Sequence, residues 1–351
     1  MIDLRSDTIT LPSVEMLNSI VSAPLGDDGR LGPSGRGEDP TVNELEDLAA
    51  KLTGKEAALL FPTGTLANTT SILSYCQPGD RVLVDPKMHI YKTEKIVFSD
   101  HFGQLTPVFY SMDTKFQPNF DDIKNHIEGS DIKLLCIEDS HNFQGGTTLN
   151  QDSLIALKKI KEEYGVKVHL DGARLFNASI GSGIGVSDIC SAVDSVMFCL
   201  SKGLGAPIGS LVCASKDDIK KLRELRKSLG GGMRQAGIIA APGIVALNTF
   251  SSFLKEDHAL CRDVADGLND LINIKINHPI DTNIIMLNVS QTGFTQNEFC
   301  DLAEQKGLLI KPVLDDSVRL VFHRDVPRDS AEKVIEIIQD LDKESRNGGK
   351  K

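Results

Sequence analysis

Short apolar runs of four to six residues alternate along this chain with longer stretches of helical spacing, and that alternation most restricts its fold. The runs are Ala57 to Phe61, Arg81 to Val84, Lys133 to Ile137, Val166 to Leu170, Ser195 to Leu200 and Leu211 to Ala214. Uninterrupted apolar runs suit strands covered by helices on both faces, so the pattern predicts an α/β fold with a mostly parallel sheet. Asp39 can cap a helix that has Pro40 at its first position and Gly54 as its stop. Two more amphipathic helices are expected at 152–164, before Gly165, and from Asp217 to Leu229, before Gly230-Gly231-Gly232. Beyond residue 246 the register changes, with helical patterns at 250–271, 296–306 and 330–341 around strand candidates at 284–289 and 318–322. The expected division is a large α/β domain over 15–245 and a smaller α+β domain over 246–345. An N-terminal segment, 1–14, could join either unit, and a polar tail, 346–351, is expected to be disordered.

Composition narrows the partners. Lys+Arg total 38 against Asp+Glu 49, a net charge of -11 that disfavours a nucleic-acid phosphate backbone. An anionic ligand therefore needs a local pocket of positive potential. Met1 to Asp7 shows no signal peptide, and apolar stretches such as Ile238 to Val245 are short for a bilayer, so no membrane partner is expected. Seven scattered cysteines without a C-x-x-C pair read as buried free thiols in a reducing compartment, here the cytoplasm.

In a parallel sheet, ligands gather at the carboxyl ends of the strands. Three successive runs here end in Glu138-Asp139-Ser140-His141-Asn142, in Asp171-Gly172-Ala173-Arg174, and in Ser201-Lys202-Gly203-Leu204-Gly205. Taken singly, Lys202 is a surface lysine, Asp171-Gly172 a turn, and Thr63-Gly64-Thr65 a helix cap. Together they meet three needs of one cofactor. A lysine at an apolar strand end loses hydration and becomes an amine able to attack a carbonyl. A carboxylate keeps a pyridine nitrogen protonated, and the protonated ring accepts electrons from a carbanion. Thr63, Gly64 and Thr65, opening a helix after a strand, offer hydroxyls and N–H groups to a phosphate. The set describes pyridoxal 5'-phosphate. Gly181-Ser182-Gly183-Ile184-Gly185 is not a dinucleotide fingerprint, and no Walker A, H-E-x-x-H or G-x-S-x-G sequence occurs. The eight histidines show no metal-ligand spacing.

These residues sit within longer motifs: Asp3-Leu4-Arg5-Ser6-Asp7-Thr8, Gly37-Glu38-Asp39-Pro40-Thr41-Val42, Pro62-Thr63-Gly64-Thr65, His169-Leu170-Asp171-Gly172-Ala173-Arg174, Ser201-Lys202-Gly203-Leu204-Gly205-Ala206-Pro207, Gly230-Gly231-Gly232-Met233-Arg234-Gln235 and Arg319-Leu320-Val321-Phe322-His323. In this order they resemble the low-specificity L-threonine aldolases, pyridoxal-phosphate enzymes of the aspartate-aminotransferase-like fold (fold type I). The resemblance covers nearly the whole chain. It implies cleavage of L-threonine, L-allo-threonine and related β-hydroxy-α-amino acids to glycine and an aldehyde. A β-eliminating lyase, an amino-acid racemase or a silent cofactor carrier on the same scaffold is the alternative.

The resemblance also implies roles. Lys202, beside Ser201, would carry the cofactor as a Schiff base, and Asp171 would pair with the pyridinium nitrogen. Thr63, Gly64 and Thr65 would hold the phosphate, with Arg234 arriving from a neighbouring subunit of a homo-oligomer, a dimer of dimers. His89 would stack on the ring near the substrate hydroxyl. Ser6, Arg174 and Arg319 would grip the substrate carboxylate. Three departures stand out: a longer, tyrosine-free loop from Gly29 to Arg36, an Asp139 that adds a negative charge near the site, and a shorter stretch before that strand in which the nearby His126 is out of clear register and unassigned.

Overall fold

A computed structural model describes residues 1–348 of the chain, with side chains through Ser345. The strands are β1 (Ile2–Asp3), β2 (Ala57–Phe61), β3 (Arg81–Val84), β4 (Thr106–Phe109), β5 (Ile132–Glu138), β6 (Lys167–Asp171), β7 (Ser195–Cys199), β8 (Ser210–Ala214), β9 (Ile284–Asn288), β10 (Leu308–Leu309), β11 (Lys311–Pro312) and β12 (Ser317–Val321). The helices are α1 (Val14–Ser22), α2 (Pro40–Thr53), α3 (Gly64–Tyr75), α4 (Phe120–Gly129), α5 (Gln151–Tyr164), α6 (Leu175–Ser182), α7 (Val186–Ser191), α8 (Lys216–Ser228), α9 (Gly237–Gly267), α10 (Gln296–Gln305) and α11 (Ala331–Gly348).

The central sheet has seven strands in the order β2-β8-β7-β6-β5-β3-β4. Only β8 runs against its neighbours, so the other six share one direction and their carboxyl ends meet along one edge. Alternation along β2 shows how both faces are covered. Ala58 and Leu60 join the core beneath α2 and α5, whereas Leu59 and Phe61 pack with Ala67 of α3 and Leu222 of α8. Burial of each large apolar side chain contributes about 1.5–3 kcal/mol, so the run that looked like a strand is held from both sides. The capping expected for α2 is present: Asp39 accepts from the Thr41 and Val42 N–H groups, and Gly54 closes the helix at φ 67°.

The C-terminal body is a three-stranded sheet, β11-β12-β9, packed on α10 and α11, with its own apolar cluster. The boundary expected at residue 246 falls inside α9, a continuous helix of 31 residues. Ala246, Leu247 and Leu254 of α9 pack into the large core, and Leu260, Cys261 and Val264 into the C-terminal one. An 18-residue window of α9 has a mean hydropathy of 1.6, so by length and composition this helix could cross a membrane, contrary to the expectation from its short apolar stretches. In the fold it packs against α1, α2, α6 and α11, and 44% of that window is buried. The last helix runs to Gly348, into the segment expected to be a disordered tail, and residues 349–351 lie outside the described ones.

The N-terminal segment is pinned at two levels. β1 pairs in parallel with β10, and Leu4 is fully buried in the C-terminal cluster. Beyond it, the buried Asp7 carboxylate accepts from Arg174 Nε at 2.8 Å and Nη2 at 2.7 Å, a two-pronged ion pair with the large body. Burial alone would raise the Asp7 carboxyl, but Arg174, with Lys202 and Arg319 nearby, reverses this and holds it at about 2. A carboxyl depressed in the fold stabilises it above its unfolded pKa of about 4, and that stability disappears as pH falls through about 2.

Urea unfolding between pH 2 and 7 should therefore show about 2 kcal/mol of Asp7-dependent stability lost on acidification. In Asp7→Asn that portion of the slope should vanish, and at pH 7 the variant should be about 3–5 kcal/mol less stable because Arg174 is left buried without its counter-charge. An unchanged acid slope in the variant would show that the pair does not bear on folding.

Candidate active site

The shared strand direction brings five segments to one edge: Thr63–Thr65 after β2, His89 after β3, Glu138–Asn142 after β5, Asp171–Arg174 at the end of β6, and Lys202 after β7. Gly64 opens α3 tightly against the sheet. A side chain there would place its first carbon 2.9 Å from Cys199 Sγ and 3.0 Å from Met197 Cε, so only glycine lets the helix start this close to β7. Thr63 is the cap, its hydroxyl accepting from Leu66 N–H at 3.2 Å. The N–H groups of Gly64 and Thr65 have no partner among the described residues, and Thr63 and Thr65 are exposed. The cap and the anion cradle are thus one structure, open to a phosphate.

Lys202 is half-buried in the tight turn between β7 and β8. Gly203 lets the Asp7 carboxylate and Asn177 approach its backbone, and Gly205, at φ 76°, makes room for the Arg324 guanidinium. Arg324 in turn donates to the Leu11 carbonyl at 2.6 Å, strapping the lysine loop to the N-terminal segment. Lys202 is also close enough to Asp7 to help hold that carboxyl ionised.

Asp171 is 1% exposed. Its carboxylate accepts from Asn68 Nδ2 at 3.0 Å and from the Ala173 N–H at 3.1 Å, and no lysine or arginine pairs with it among the described residues. A buried carboxylate supported only by neutral donors has room for one positive partner. A protonated pyridine nitrogen is a group of that kind, so the acid fits pyridoxal 5'-phosphate by its chemistry, as the glycine-lined phosphate cradle does by its shape.

Arg174 and Arg319 are joined through Asn142, whose Oδ1 accepts from Arg174 Nη1 at 3.1 Å and from Arg319 Nη1 at 2.6 Å. The two arginines are not equivalent. Asp7 occupies Arg174, whereas the buried Nε of Arg319 has no partner among the described residues. Burial, and then Arg174 beside it, brings the Arg319 guanidinium down to about 10, still cationic at neutral pH. Arg319 is therefore the cation ready for a carboxylate, and Arg174 is the one already held.

His89 is partly exposed. Its backbone N–H donates to Glu138 Oε2 at 2.6 Å and its Nδ1 lies 3.1 Å from Glu94 Oε1. Burial pushes the ring toward neutrality, but Glu94, Asp171 and Glu138 together raise it above the ordinary histidine value. Phe143 lies parallel to the ring, 6.4 Å away between centroids.

Other sequence expectations fall differently. Ser6 caps the short helical turn Asp7–Ile9, its hydroxyl accepting from Thr8 N–H, and so stands beside the Asp7–Arg174 pair. Ser201 is half-buried next to Lys202. Arg234 is exposed, pairs with Asp27 at 3.3 Å, and lines a surface cleft of about 1090 Å³ instead of this chain's phosphate cradle. Asp139 does not add the expected negative charge: burial pushes its carboxyl up to about 8, so it is protonated at neutral pH. The Gly29–Arg36 loop closes as a small hairpin, with Leu31 bridging Gly37 and Arg36 held on Asp47 and the Asn43 carbonyl. His126 pairs with Asp122 on α4, and His141 is buried against Asp85 at 2.6 Å. Sequence reasoning did not assign Asp7, Asn68, Glu94 or Asn142. The only signal for them was position, since Asp7 and Asn142 lie inside or beside motifs already marked and Asn68 closes the phosphate segment.

Comparison with known proteins places the chain in a family and a fold. A family profile described as beta-eliminating lyase matches residues 3–292. The low specificity L-threonine aldolase of Escherichia coli (strain K12) is 38% identical over 339 residues, covering 95% of this chain and 97% of the relative. A crystal structure of a putative aromatic amino acid beta-eliminating lyase/threonine aldolase from Exiguobacterium superposes with a TM-score of 0.79 at 17% identity over 97% of both chains. Aspartate aminotransferase of Thermus thermophilus superposes with a TM-score of 0.74 at 13% identity, over 97% of this chain and 91% of that one. Sequence and architecture converge, and the chain belongs to the low-specificity L-threonine aldolase group of the beta-eliminating lyase family, built on the aspartate-aminotransferase-like fold.

Proposed function

We propose that this protein is a pyridoxal-phosphate-dependent aldolase that cleaves L-threonine, L-allo-threonine and related β-hydroxy-α-amino acids to glycine and an aldehyde. The observation that carries the reading is the placement, at one edge of the central sheet, of Lys202 and of a buried Asp171 that no lysine or arginine pairs with among the described residues, facing Arg319 of β12, which Asn142 joins to Arg174 and whose buried Nε has no partner among those residues. When bound, pyridoxal 5'-phosphate supplies an electron sink that accepts the pair released when a bond to the substrate's α-carbon breaks.

The chain's own residues do the rest. The Lys202 amine would hold the cofactor covalently. Asp171 would keep the ring nitrogen protonated, and the N–H groups of Gly64 and Thr65 with the flanking hydroxyls would hold the phosphate. Arg319 receives the substrate carboxylate, with Asn142 and the Asp7-bound Arg174 fixing its angle. This orients the Cα–Cβ bond. His89 takes the proton from the β-hydroxyl, and a positioned base of this kind contributes about 10²–10⁴-fold. For threonine the released aldehyde is acetaldehyde.

Two further features belong to the same reading. The chain acts as a homo-oligomer, a dimer of dimers, in which Arg234 completes a neighbouring phosphate site. Its exposure and the uncovered apolar side chains Val14, Leu17 and Val21 along α1 support this. The cytoplasm is its compartment, in keeping with seven unpaired cysteines, six of them buried.

Lys202→Ala should lose both the visible absorbance of the bound cofactor and aldehyde release, read by spectrophotometry and a coupled aldehyde assay. Normal threonine cleavage by this variant with added cofactor would refute the assignment. Ammonia with a keto acid, or a D-amino acid, as the wild-type product would instead mark an eliminating lyase or a racemase. Arg319→Gln should raise KM for threonine about 10–100-fold while the cofactor absorbance persists, since a charge-assisted hydrogen bond is lost. An unchanged KM would place the carboxylate elsewhere.

A further inference from the structure

Four side chains, Glu94, Asn68, His169 and Ser195, have no part in the chemistry above, and the first two connect His89 to Asp171. Glu94 closes the turn Ile90–Glu94 that follows His89, and its side chain is 6% exposed. Its Oε1 lies 3.1 Å from His89 Nδ1 and 3.2 Å from Asn68 Nδ2. The same Asn68 nitrogen donates to Asp171 Oδ2 at 3.0 Å. On its other side, Asn68 Oδ1 is 3.1 Å from His169 Nε2, and His169 Nδ1 is 2.8 Å from Ser195 Oγ. One ligand atom each of His89, Glu94 and Asp171 falls within 4.8 Å of the others.

The donor and acceptor roles in this chain follow from a few constraints. The Asn68 NH₂ donates to the Glu94 and Asp171 carboxyl oxygens, and its carbonyl faces His169. His169 is fully buried, which pulls it down to about 4 and leaves it neutral with a single N–H. That proton sits on Nε2 and is donated to Asn68, while Nδ1 accepts from Ser195. At the other end Glu94 can only accept, so His89 carries its proton on Nδ1 and keeps its lone pair on Nε2. One proton arrangement satisfies all six side chains.

We propose that Glu94 and Asn68 are positioning residues for the reaction: Glu94 fixes the proton on His89 Nδ1, leaving Nε2 as the base, and Asn68 ties this pair to the Asp171 carboxylate. The inference rests on the aldolase reading for the role of His89, though not for the hydrogen bonds themselves. The charged groups that face His89 are Glu94 on its own turn, Glu138 at the end of β5 and Asp171 at the end of β6. Of these, Glu94 alone bonds the ring, because Glu138 accepts from the backbone N–H. Its removal should therefore be felt at the ring first.

The test uses the full-length chain labelled with ¹⁵N-histidine, with and without bound pyridoxal 5'-phosphate, and assigns His89 by comparison with His89→Gln. Wild-type His89 should titrate above the ordinary histidine range and show an Nδ1–H tautomer when neutral. Glu94→Gln should lower that titration by about one unit, as expected for loss of a facing charge, and mix the two tautomers. In steady-state assays kcat should fall about tenfold with KM within threefold, since a positioned base supplies more than that factor in all. The acid limb of the kcat profile should move to lower pH, because a weaker base stays unprotonated further down, and Glu94→Asp should restore part of the loss. A wild-type Nε2–H tautomer, or an unshifted His89 titration in Glu94→Gln, would overturn the proposal whatever the activity. If the tautomer and titration behave as stated while the wild-type protein releases no aldehyde, the hydrogen-bond assignment stands and the aldolase reading fails.

Discussion

Two buried aspartates differ in one respect that organises the molecule: Asp7 has a guanidinium, and Asp171 has none among the described residues. A carboxylate withdrawn from water is costly unless a positive charge or several donors meet it. Asp7 meets that cost through Arg174, and the pair joins the N-terminal segment to the large body within reach of Lys202. Asp171 is left with an amide and a backbone N–H, so its demand for charge falls on whatever enters the site. A pyridinium meets that demand, and the lysine and phosphate cradle at the same edge can hold the ring.

The same contrast separates the two arginines. Arg174 and Arg319 look interchangeable in the sequence, as two candidate grips for a substrate carboxylate. In the fold Asp7 takes one of them, and Asn142 spans both, so the free hydrogen-bonding capacity is concentrated on Arg319. A grip in which one arginine is fixed and the other is available gives a carboxylate one orientation, which is what selective breakage of a single bond at the α-carbon needs.

Much of this was legible in the sequence, for local reasons. Helix α2 could be read from Asp39, Pro40 and Gly54 because capping involves residues within a turn of each other. The strand ends bearing Asp171 and Lys202 could be read because apolar runs stop where the sheet edge meets solvent or ligand. What escaped reading depends on contacts across the chain. Asp7 meets Arg174 across 167 positions and Asn142 meets Arg319 across 177, and no local pattern encodes either. Asp139 looked like an added charge, yet burial, which no single position reveals, leaves it neutral. Helix α9 was read only from Phe250, although it begins at Gly237, with Pro242 inside it and Gly243 letting Leu45 and Leu200 approach closely.

The account turns on a single amine. Borohydride reduction of the cofactor-loaded protein, followed by proteolysis and mass mapping, should find the phosphopyridoxyl group on the peptide containing Lys202 and on no other lysine. Attachment to a different lysine, or no attachment after loading, would contradict the assignment of this strand edge as the catalytic centre.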